Sequence, residues 1–264
     1  MCGRYASARK RIELLEEFSV QRDRVPDDLP PDYNVAPTRA VYAVMDREQR
    51  RAADADQPDE GVARELRVVR WGLVPSWAKD ISIGSRLINA RAETVAEKPS
   101  FRRAFARRRC LLPADGYYEW QVLENAGPRG GKRKQPYFIH RADGDVMAFA
   151  GLYELWRDHA MPDGDPDAWL WTATIITTSA PDELGQIHDR MPMVIAPESW
   201  ADWLDPGNSD ASDLRALLAP AAARGLATYP VSTEVNSVRN NGPELMQPVP
   251  APVAPGAALW SDQD

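Results

Sequence analysis

Apolar residues in this chain gather in short runs that Pro, Gly or Asp bound on either side, a pattern typical of β-strands. The runs lie at 40–46, 66–73, 109–113, 136–141, 146–153, 169–178 and 191–196. Their number predicts a protein built mainly of β-sheet.

Helical spacing is rarer along the chain. The positions of Ile12, Leu15 and Phe18 predict one amphipathic helix. We expect Ser7 to cap this helix and the helix to end near Ser19. Further helices are predicted near 100–108, 197–204 and 212–219. Because strands and helices do not alternate regularly, the pattern favours an α+β fold with a mainly antiparallel, barrel-like β core and flanking helices.

Length and composition indicate one domain followed by a tail. A chain of 264 residues allows one large domain or two small ones, and we expect a single domain over residues 2–245. The polar inserts 52–63 and 125–135 are predicted to be loops, and YNVAPTR at 33–39 an irregular connection. Residues 246–264 are rich in Pro and Ala, which is typical of a disordered tail.

No apolar run is long enough for a signal peptide or a membrane span, so we expect a soluble, cytoplasmic protein without membrane contacts. In that compartment Cys2 and Cys110 are expected to be free thiols. None of the three histidines is spaced with cysteines as a zinc ligand would be, so we expect neither metal nor cofactor.

The net charge and the local charge distribution give opposite indications about nucleic-acid binding. A formal net charge of -7 argues against general nucleic-acid binding, which normally needs a basic surface. Between Arg64 and Arg109, however, twelve Lys or Arg face four Asp or Glu, so one basic face on an acidic body is expected. Alternatively, these arginines reflect codon usage and only solvate a surface.

Cys2 has an unusual position, because removal of Met1 would leave it as the N-terminal residue. An N-terminal cysteine is a 1,2-aminothiol whose α-amine has a pKa of about 7.7 to 8.0 and whose thiol has a pKa of about 8.5. An aldehyde forms a Schiff base with such an amine, and the thiol then closes a thiazolidine ring. No internal cysteine or lysine can form that ring. The alternative is that Cys2 is an incidental second residue.

Eight sequence blocks favour the chemical interpretation of Cys2. They are MCGRY at 1–5, YNVAPTR at 33–39, RWGLVPSWAKD at 70–80, NARAET at 89–94, FRRAF at 101–105, RCLLPADGYYEW at 109–120, IHDRMPMVI at 187–195 and VSTEVNSVRNNGPEL at 231–245. In identity and order these blocks resemble the SRAP (SOS-response-associated peptidase) domain family. The family resemblance implies a protein that forms a DNA–protein crosslink with abasic sites.

The resemblance assigns catalytic roles to Cys2, Asn89, Glu119 and His188. Asn89 would hold the Cys2 terminus, and Glu119 would open the cyclic deoxyribose and move protons on it. His188 would assist Schiff-base formation, since an imidazole titrates near neutral pH. Each of the three partners of Cys2 also has an ordinary interpretation. Asn89 is compatible with a turn residue, Glu119 with a salt bridge on a strand, and His188 with a structural histidine.

The resemblance also implies a DNA-binding surface. Arg4, Arg91 and Arg190 would contact phosphates around the lesion. A second set, Pro37, Trp71 and Trp77, would form apolar surface against which bases stack. Core packing is the usual role of a strand tryptophan, and Trp169 and Trp171 in the most apolar run are assigned to it.

The leading hypothesis is therefore a DNA-damage protein that crosslinks through Cys2 to an abasic site in single-stranded DNA and shields it. It would act as a monomer in the cytoplasm, associated with the nucleoid during damage. Two alternatives stay open. One is a cysteine peptidase that uses Cys2 to process its own N-terminus, and the other is a non-covalent reader of modified or single-stranded DNA.

Overall fold

The computed structural model describes residues 2–48, 61–124, 131–218 and 225–251, which are mostly strand and loop. The strands of this part are β1 (Tyr5–Ser7), β2 (Arg22–Asp23), β3 (Asp32–Val35), β4 (Ala40–Glu48), β5 (Val62–Trp71), β6 (Asn89–Arg91), β7 (Arg109–Ala114), β8 (Gly116–Leu123), β9 (Arg133–Arg141), β10 (Met147–Arg157), β11 (Trp169–Ser179), β12 (Arg190–Pro192) and β13 (Leu226–Pro230). The α-helices are α1 (Arg11–Glu17), α2 (Arg102–Arg107), α3 (Asp182–Gly185), α4 (Trp200–Leu204) and α5 (Ala211–Ala216).

Five long strands close into a barrel. The strands β5, β4, β7, β10 and β11 pair in that order, each antiparallel to the next. The ring closes where β11 pairs with β5 in parallel, with Thr172 opposite Arg70 and Ala173 opposite Trp71. Closure leaves these strands no free edge. The expected α+β fold with a mainly antiparallel, barrel-like core is confirmed.

A second sheet, in the order β13, β9, β8, β1, β3, packs against the barrel. Its contact is aromatic. The ring of Tyr5 lies 5.2 Å from Trp71 and 5.7 Å from Phe149, and Tyr117 lies 6.2 Å from Phe149, all centroid to centroid. Edge-on packing of these buried rings joins the strand that follows Cys2 to the barrel.

Side chains along β4 alternate between two clusters, as expected of a barrel wall. Val41, Ala43 and Met45 belong to the cluster inside the barrel, here called the inner cluster. Tyr42 and Val44 belong to the cluster outside it, which side chains of α1, α2, α4 and α5 cover. The short helices therefore bury the outer face of the barrel rather than forming a layer of their own.

Each strand run read from the sequence overlaps an observed strand, although 193–196 of the last run lie beyond β12. The first helix differs from its prediction. It begins at Arg11, and the Lys10 N–H donates to the Glu13 carboxylate at 2.7 Å. The predicted cap at Ser7 is wrong, because Ser7 is the last residue of β1. Pairing with β3 and β8 sets the conformation there and overrides the capping preference of serine.

The expected irregular connection at 33–39 is also partly wrong, since Asp32–Val35 forms β3. Of the expected loops, most of 52–63 and residues 125–130 lie outside the described residues, and so does most of the tail. The second loop is shorter than expected, because β9 begins at Arg133. Among the described helices none is long and apolar enough to cross a bilayer.

Arg109, counted in the basic segment of the sequence, is a structural residue. It is only 2% exposed, and burial lowers its pKa to about 10. Its guanidinium donates to the carbonyls of Trp203 at 2.6 Å, Phe105 at 2.9 Å and Asn208 at 3.0 Å, and to that of Asp205. One side chain thus anchors α2, α4 and the loop after α4 to β7.

We expect Arg109→Met to lower the free energy of unfolding by about 3 kcal/mol or more, because it leaves buried carbonyls without a charged donor. Urea denaturation monitored by circular dichroism measures this. The control is Arg102→Met, an exposed arginine on α2 that should change stability by less than about 0.5 kcal/mol. Equal effects of the two substitutions would contradict the anchoring role.

Candidate active site

Cys2 lies in a buried position between the second sheet and the barrel. It is fully buried and packs in the inner cluster with Tyr5 and Tyr117. Its carbonyl accepts a hydrogen bond of 2.7 Å from Nδ2 of Asn89. Burial, and next the charge of Glu119, raise the pKa of the Cys2 thiol well above its ordinary value. The thiol is therefore protonated at neutral pH.

Asn89 is held by the barrel itself. It is the first residue of β6, which pairs in parallel with β11 so that Asn89 lies opposite Ile175. Its Oδ1 atom is buried and has no hydrogen-bond partner among the described residues. The amide therefore uses its donor on the Cys2 backbone and keeps an acceptor available next to Cys2.

Glu119 comes from β8 and is 5% exposed. Burial raises its pKa above the ordinary value, and the charge of His188 opposes that rise. Along β8, Tyr117 shares the barrel-facing side with Glu119, whereas Tyr118 and Trp120 pack on the opposite face. Of the three aromatic residues that flank Glu119 in the sequence, only Tyr117 therefore faces the same way as this carboxyl.

His188 lies in the turn between α3 and β12 and lines one narrow cleft with Tyr117, Glu119 and Arg190. The Arg190 backbone N–H donates to its Nδ1 at 3.0 Å. An acceptor at Nδ1 means that the neutral imidazole carries its proton on Nε2. Asp189 Oδ1 also lies 3.0 Å from Nδ1.

The structure therefore brings the four predicted catalytic residues to one place. Cys2, Asn89, Glu119 and His188 converge there although up to 186 positions separate them, and we call them the candidate active site. The set provides a thiol, a proton-holding carboxyl, an imidazole and an orienting amide, which suits covalent addition to a carbonyl. Among the described residues no three His, Cys, Asp or Glu side chains group as metal ligands would.

Two of the three predicted phosphate-binding arginines already have protein partners. Nη1 of Arg4 donates to Asn34 Oδ1 at 2.7 Å and to the Val235 carbonyl at 2.9 Å. Arg190 forms a two-pronged ion pair with Glu93 at 2.6 and 3.1 Å and donates to the Thr177 carbonyl. Arg91, in contrast, is exposed on β6.

These partners were not found by sequence analysis. Asn34 is buried, and its amide donates to the carbonyls of Ser237 and Asn240, so it ties YNVAPTR to the segment after β13. Glu93 stands in NARAET, two positions after Arg91. An acidic residue inside an arginine motif was the available signal for an internal ion pair.

The three residues predicted to stack against bases differ in their exposure to solvent. The prediction that Trp71 forms a stacking surface is wrong, because Trp71 is fully buried and its indole N–H donates to the Ile88 carbonyl at 2.9 Å. Trp77 is 57% exposed, and Pro37 is half-buried. The assignment of Trp169 to the core is also wrong, since it is 51% exposed at the start of β11, where the barrel ends.

Comparisons with known proteins agree with this geometry. The family model for SOS response associated peptidase (SRAP) matches residues 1–238. The chain is 39% identical to the abasic site processing protein YoqW of Bacillus subtilis over 94% of this chain and 99% of that protein. It is 33% identical to the abasic site processing protein HMCES of Gallus gallus over 94% of this chain and 78% of that protein.

A solved structure agrees as well. A protein from Bacteroides thetaiotaomicron superposes with a TM-score of 0.73 at 27% identity, covering 94% of this chain and 100% of that one. The matched family model spans strands β1 to β13 and all four residues of the candidate active site. The chain therefore belongs to the SOS response associated peptidase (SRAP) family.

Proposed function

We propose that this protein processes abasic sites in DNA by joining its own N-terminal Cys2 to the aldehyde of the lesion in a single strand. The observation that carries the proposal is the convergence of Glu119, His188 and Asn89 on Cys2, with the Asn89 amide 2.7 Å from the Cys2 carbonyl. The names of the relatives, abasic site processing proteins, support the choice of lesion.

The proposed reaction needs no oxidant or cofactor. Removal of Met1 frees the α-amine of Cys2. In the ring-closed abasic sugar the C1′–O4′ bond breaks, a proton reaches O4′, and the C1′ hydroxyl loses its proton to give the aldehyde. The amine adds to C1′ and water leaves as an imine forms. The thiol then adds to C1′, its proton passes to nitrogen, and the thiazolidine closes. Overall, one aldehyde and one aminothiol give one thiazolidine and one molecule of water.

The residues divide these proton transfers among them. Burial favours the protonated form of Glu119, so we assign to this group the proton that reaches O4′ as the sugar opens. His188, with its neutral proton on Nε2, exchanges protons as the imine forms. The high thiol pKa leaves Cys2 neutral, so the amine attacks first and the thiol closes the ring afterwards.

Two exposed residues of the predicted DNA-binding set, Arg91 and Trp77, suit a DNA strand. Arg91 lies on β6, two residues beyond Asn89, and is exposed to phosphates. The exposed indole of Trp77 provides a face on which a base stacks without sequence preference. The ring-closing product buries the labile C1′ carbon beside Cys2, which shields the lesion from strand cleavage.

The peptidase alternative fits this site less well. A cysteine peptidase attacks with a thiolate, which requires a lowered thiol pKa and access for a peptide. Here Cys2 is fully buried and its pKa is raised. Removal of Met1 is the one peptide cleavage that the proposed chemistry requires, and the non-covalent alternative requires none.

We expect Cys2→Ser to abolish a heat-stable adduct with an abasic oligonucleotide, because a serine hydroxyl cannot close the thiazolidine. Intact mass before and after mixing measures this, and the wild-type adduct should equal protein without Met1 plus oligonucleotide minus one water. The matched control is Cys110→Ser, the other buried thiol, which should react like wild type. Equal adduct from the Cys2→Ser protein would refute covalent capture through Cys2.

We expect Glu119→Gln to slow adduct formation by about 100-fold or more, because it removes the proton donor. The same substitution should raise the free energy of unfolding at neutral pH. Since the folded state holds its proton above the ordinary pKa of 4.5, wild type loses stability as pH rises from that value through the raised pKa. The glutamine variant has no such loss.

Urea denaturation at pH 4 and pH 7 tests this trade-off, and the stability gain should appear mainly at pH 7. Glu97→Gln, at an exposed carboxylate, is the control and should change neither rate nor stability appreciably. A glutamine variant less stable than wild type at pH 7 would show that the charged form of Glu119 stabilises the fold.

A further inference from the structure

We propose that a groove at the far end of the barrel binds the single strand that flanks the abasic nucleotide, extending the DNA-binding surface well beyond the candidate active site. This inference rests on the proposed function. The groove has a volume of about 790 Å³, and its lining includes Arg47, Arg103, Arg107, Arg108, Tyr153 and Trp169. We call it the distal groove.

The strand β10 runs from the candidate active site to the distal groove. Its residue Phe149 packs against Tyr5 and Tyr117 next to Cys2, whereas Tyr153 and Leu155 line the distal groove. Six residues of strand from Phe149 to Leu155 span about 20 Å at about 3.3 Å per residue. A stacked strand that rises about 3.4 Å per nucleotide along its axis, as in B-DNA, covers that distance with about six nucleotides.

Arg47 is held at the groove by aromatic contacts. Its guanidinium carbon lies 4.8 Å from the ring centroid of Trp171, and that of Arg67 lies 4.3 Å from the same ring. The assignment of Trp171 to ordinary core packing is therefore incomplete, because two cations stack on it. Arg67 is paired with Glu65 at 2.8 Å, whereas Arg47 has no carboxylate within ion-pair distance among the described residues.

Arg103 and Arg107 add a second pair of cations. They are exposed on α2 four positions apart, so they lie on one face of the helix and repel each other. Within the described chain neither has a carboxylate at ion-pair distance. A phosphate between them would remove that repulsion and form charge-assisted hydrogen bonds with both.

The carboxylates of the distal groove are largely neutralised by other arginines. Asp46 pairs with Arg64 at 2.8 Å, and Glu154 pairs with Arg108 at 3.0 Å. Glu48 is the remaining acid in the lining, against three arginines that have no such partner among the described residues. The local charge is thus positive on a protein whose formal net charge is -7.

An aromatic surface accompanies these cations. Trp169 is 51% exposed in the groove, and Ser76 of the same lining adjoins Trp77, which is 57% exposed. Exposed indoles beside unpaired arginines are the combination that binds single-stranded nucleic acid, through stacking and phosphate contacts. Trp77, the sequence neighbour of Ser76, adds a second exposed indole next to this lining.

The test uses Arg103→Glu/Arg107→Glu and, separately, Trp169→Ala. The matched control is Arg102→Glu, which reverses a charge at an exposed position on the same helix outside the groove lining. Fluorescence anisotropy measures binding of undamaged single strands of 5 and 20 nucleotides. Adduct assays use abasic strands with a flank of two nucleotides on each side, or of ten on one side.

We expect the double variant to bind the 20-nucleotide strand at least 10-fold more weakly than wild type, with the slope of log affinity against log salt reduced by about 1.4 for two lost phosphate contacts. Trp169→Ala should weaken the same binding without changing that slope. Crosslinking of the short abasic strand should be unchanged. Only one of the two one-sided long strands should lose crosslinking efficiency, since the groove lies on one side of Cys2.

The proposal is overturned if the double variant, shown to be folded by circular dichroism, binds the long strand no more weakly than Arg102→Glu. It is equally overturned if an acidic peptide or an RNA strand competes for the groove more strongly than DNA does. Absence of any wild-type adduct would refute the proposed function alone, because binding of undamaged strands tests the groove independently of the chemistry.

Discussion

The pairing of β11 with four neighbours is the constraint on which the rest of this structure depends. Its antiparallel partners are β10 and β12, and its parallel partners are β5 and β6. The pairing with β5 closes the barrel, and the pairing with β6 and β12 fixes Asn89, Arg91 and Arg190 along one edge. One strand therefore determines both the shape of the core and the positions of the groups around Cys2.

Long, apolar elements could be predicted from the sequence because their burial leaves a periodic pattern. The barrel strands belong to this class, and β11 was found almost residue for residue. The short strands β1, β2, β3, β6 and β13 were missed, since two to five residues carry no readable period and owe their conformation to partners distant in sequence. The eight-residue β8 was missed as well, because Glu119 and Gln121 interrupt its apolar residues. Ser7 shows the same limit, because strand pairing replaced the cap that its side chain favours.

The tryptophans show why burial is harder to predict than strand position. Trp71 and Trp169 both stand at ends of apolar strands, yet one is fully buried and the other is half exposed. The difference arises from where each strand end lies in the barrel, which only the strand pairing defines. The candidate active site was likewise predicted through family motifs rather than through spacing, because nothing in the local sequence brings His188 to Glu119. The ion pair of Arg190 with Glu93 was missed for the same reason.

The complete burial of Cys2 has a chemical consequence for the lifetime of the protein. Peroxide oxidises thiolates and reaches exposed sulfur first, so a buried, protonated thiol is oxidised slowly. Under the proposed function each molecule uses Cys2 once, and burial would keep its thiol reduced until DNA reaches it.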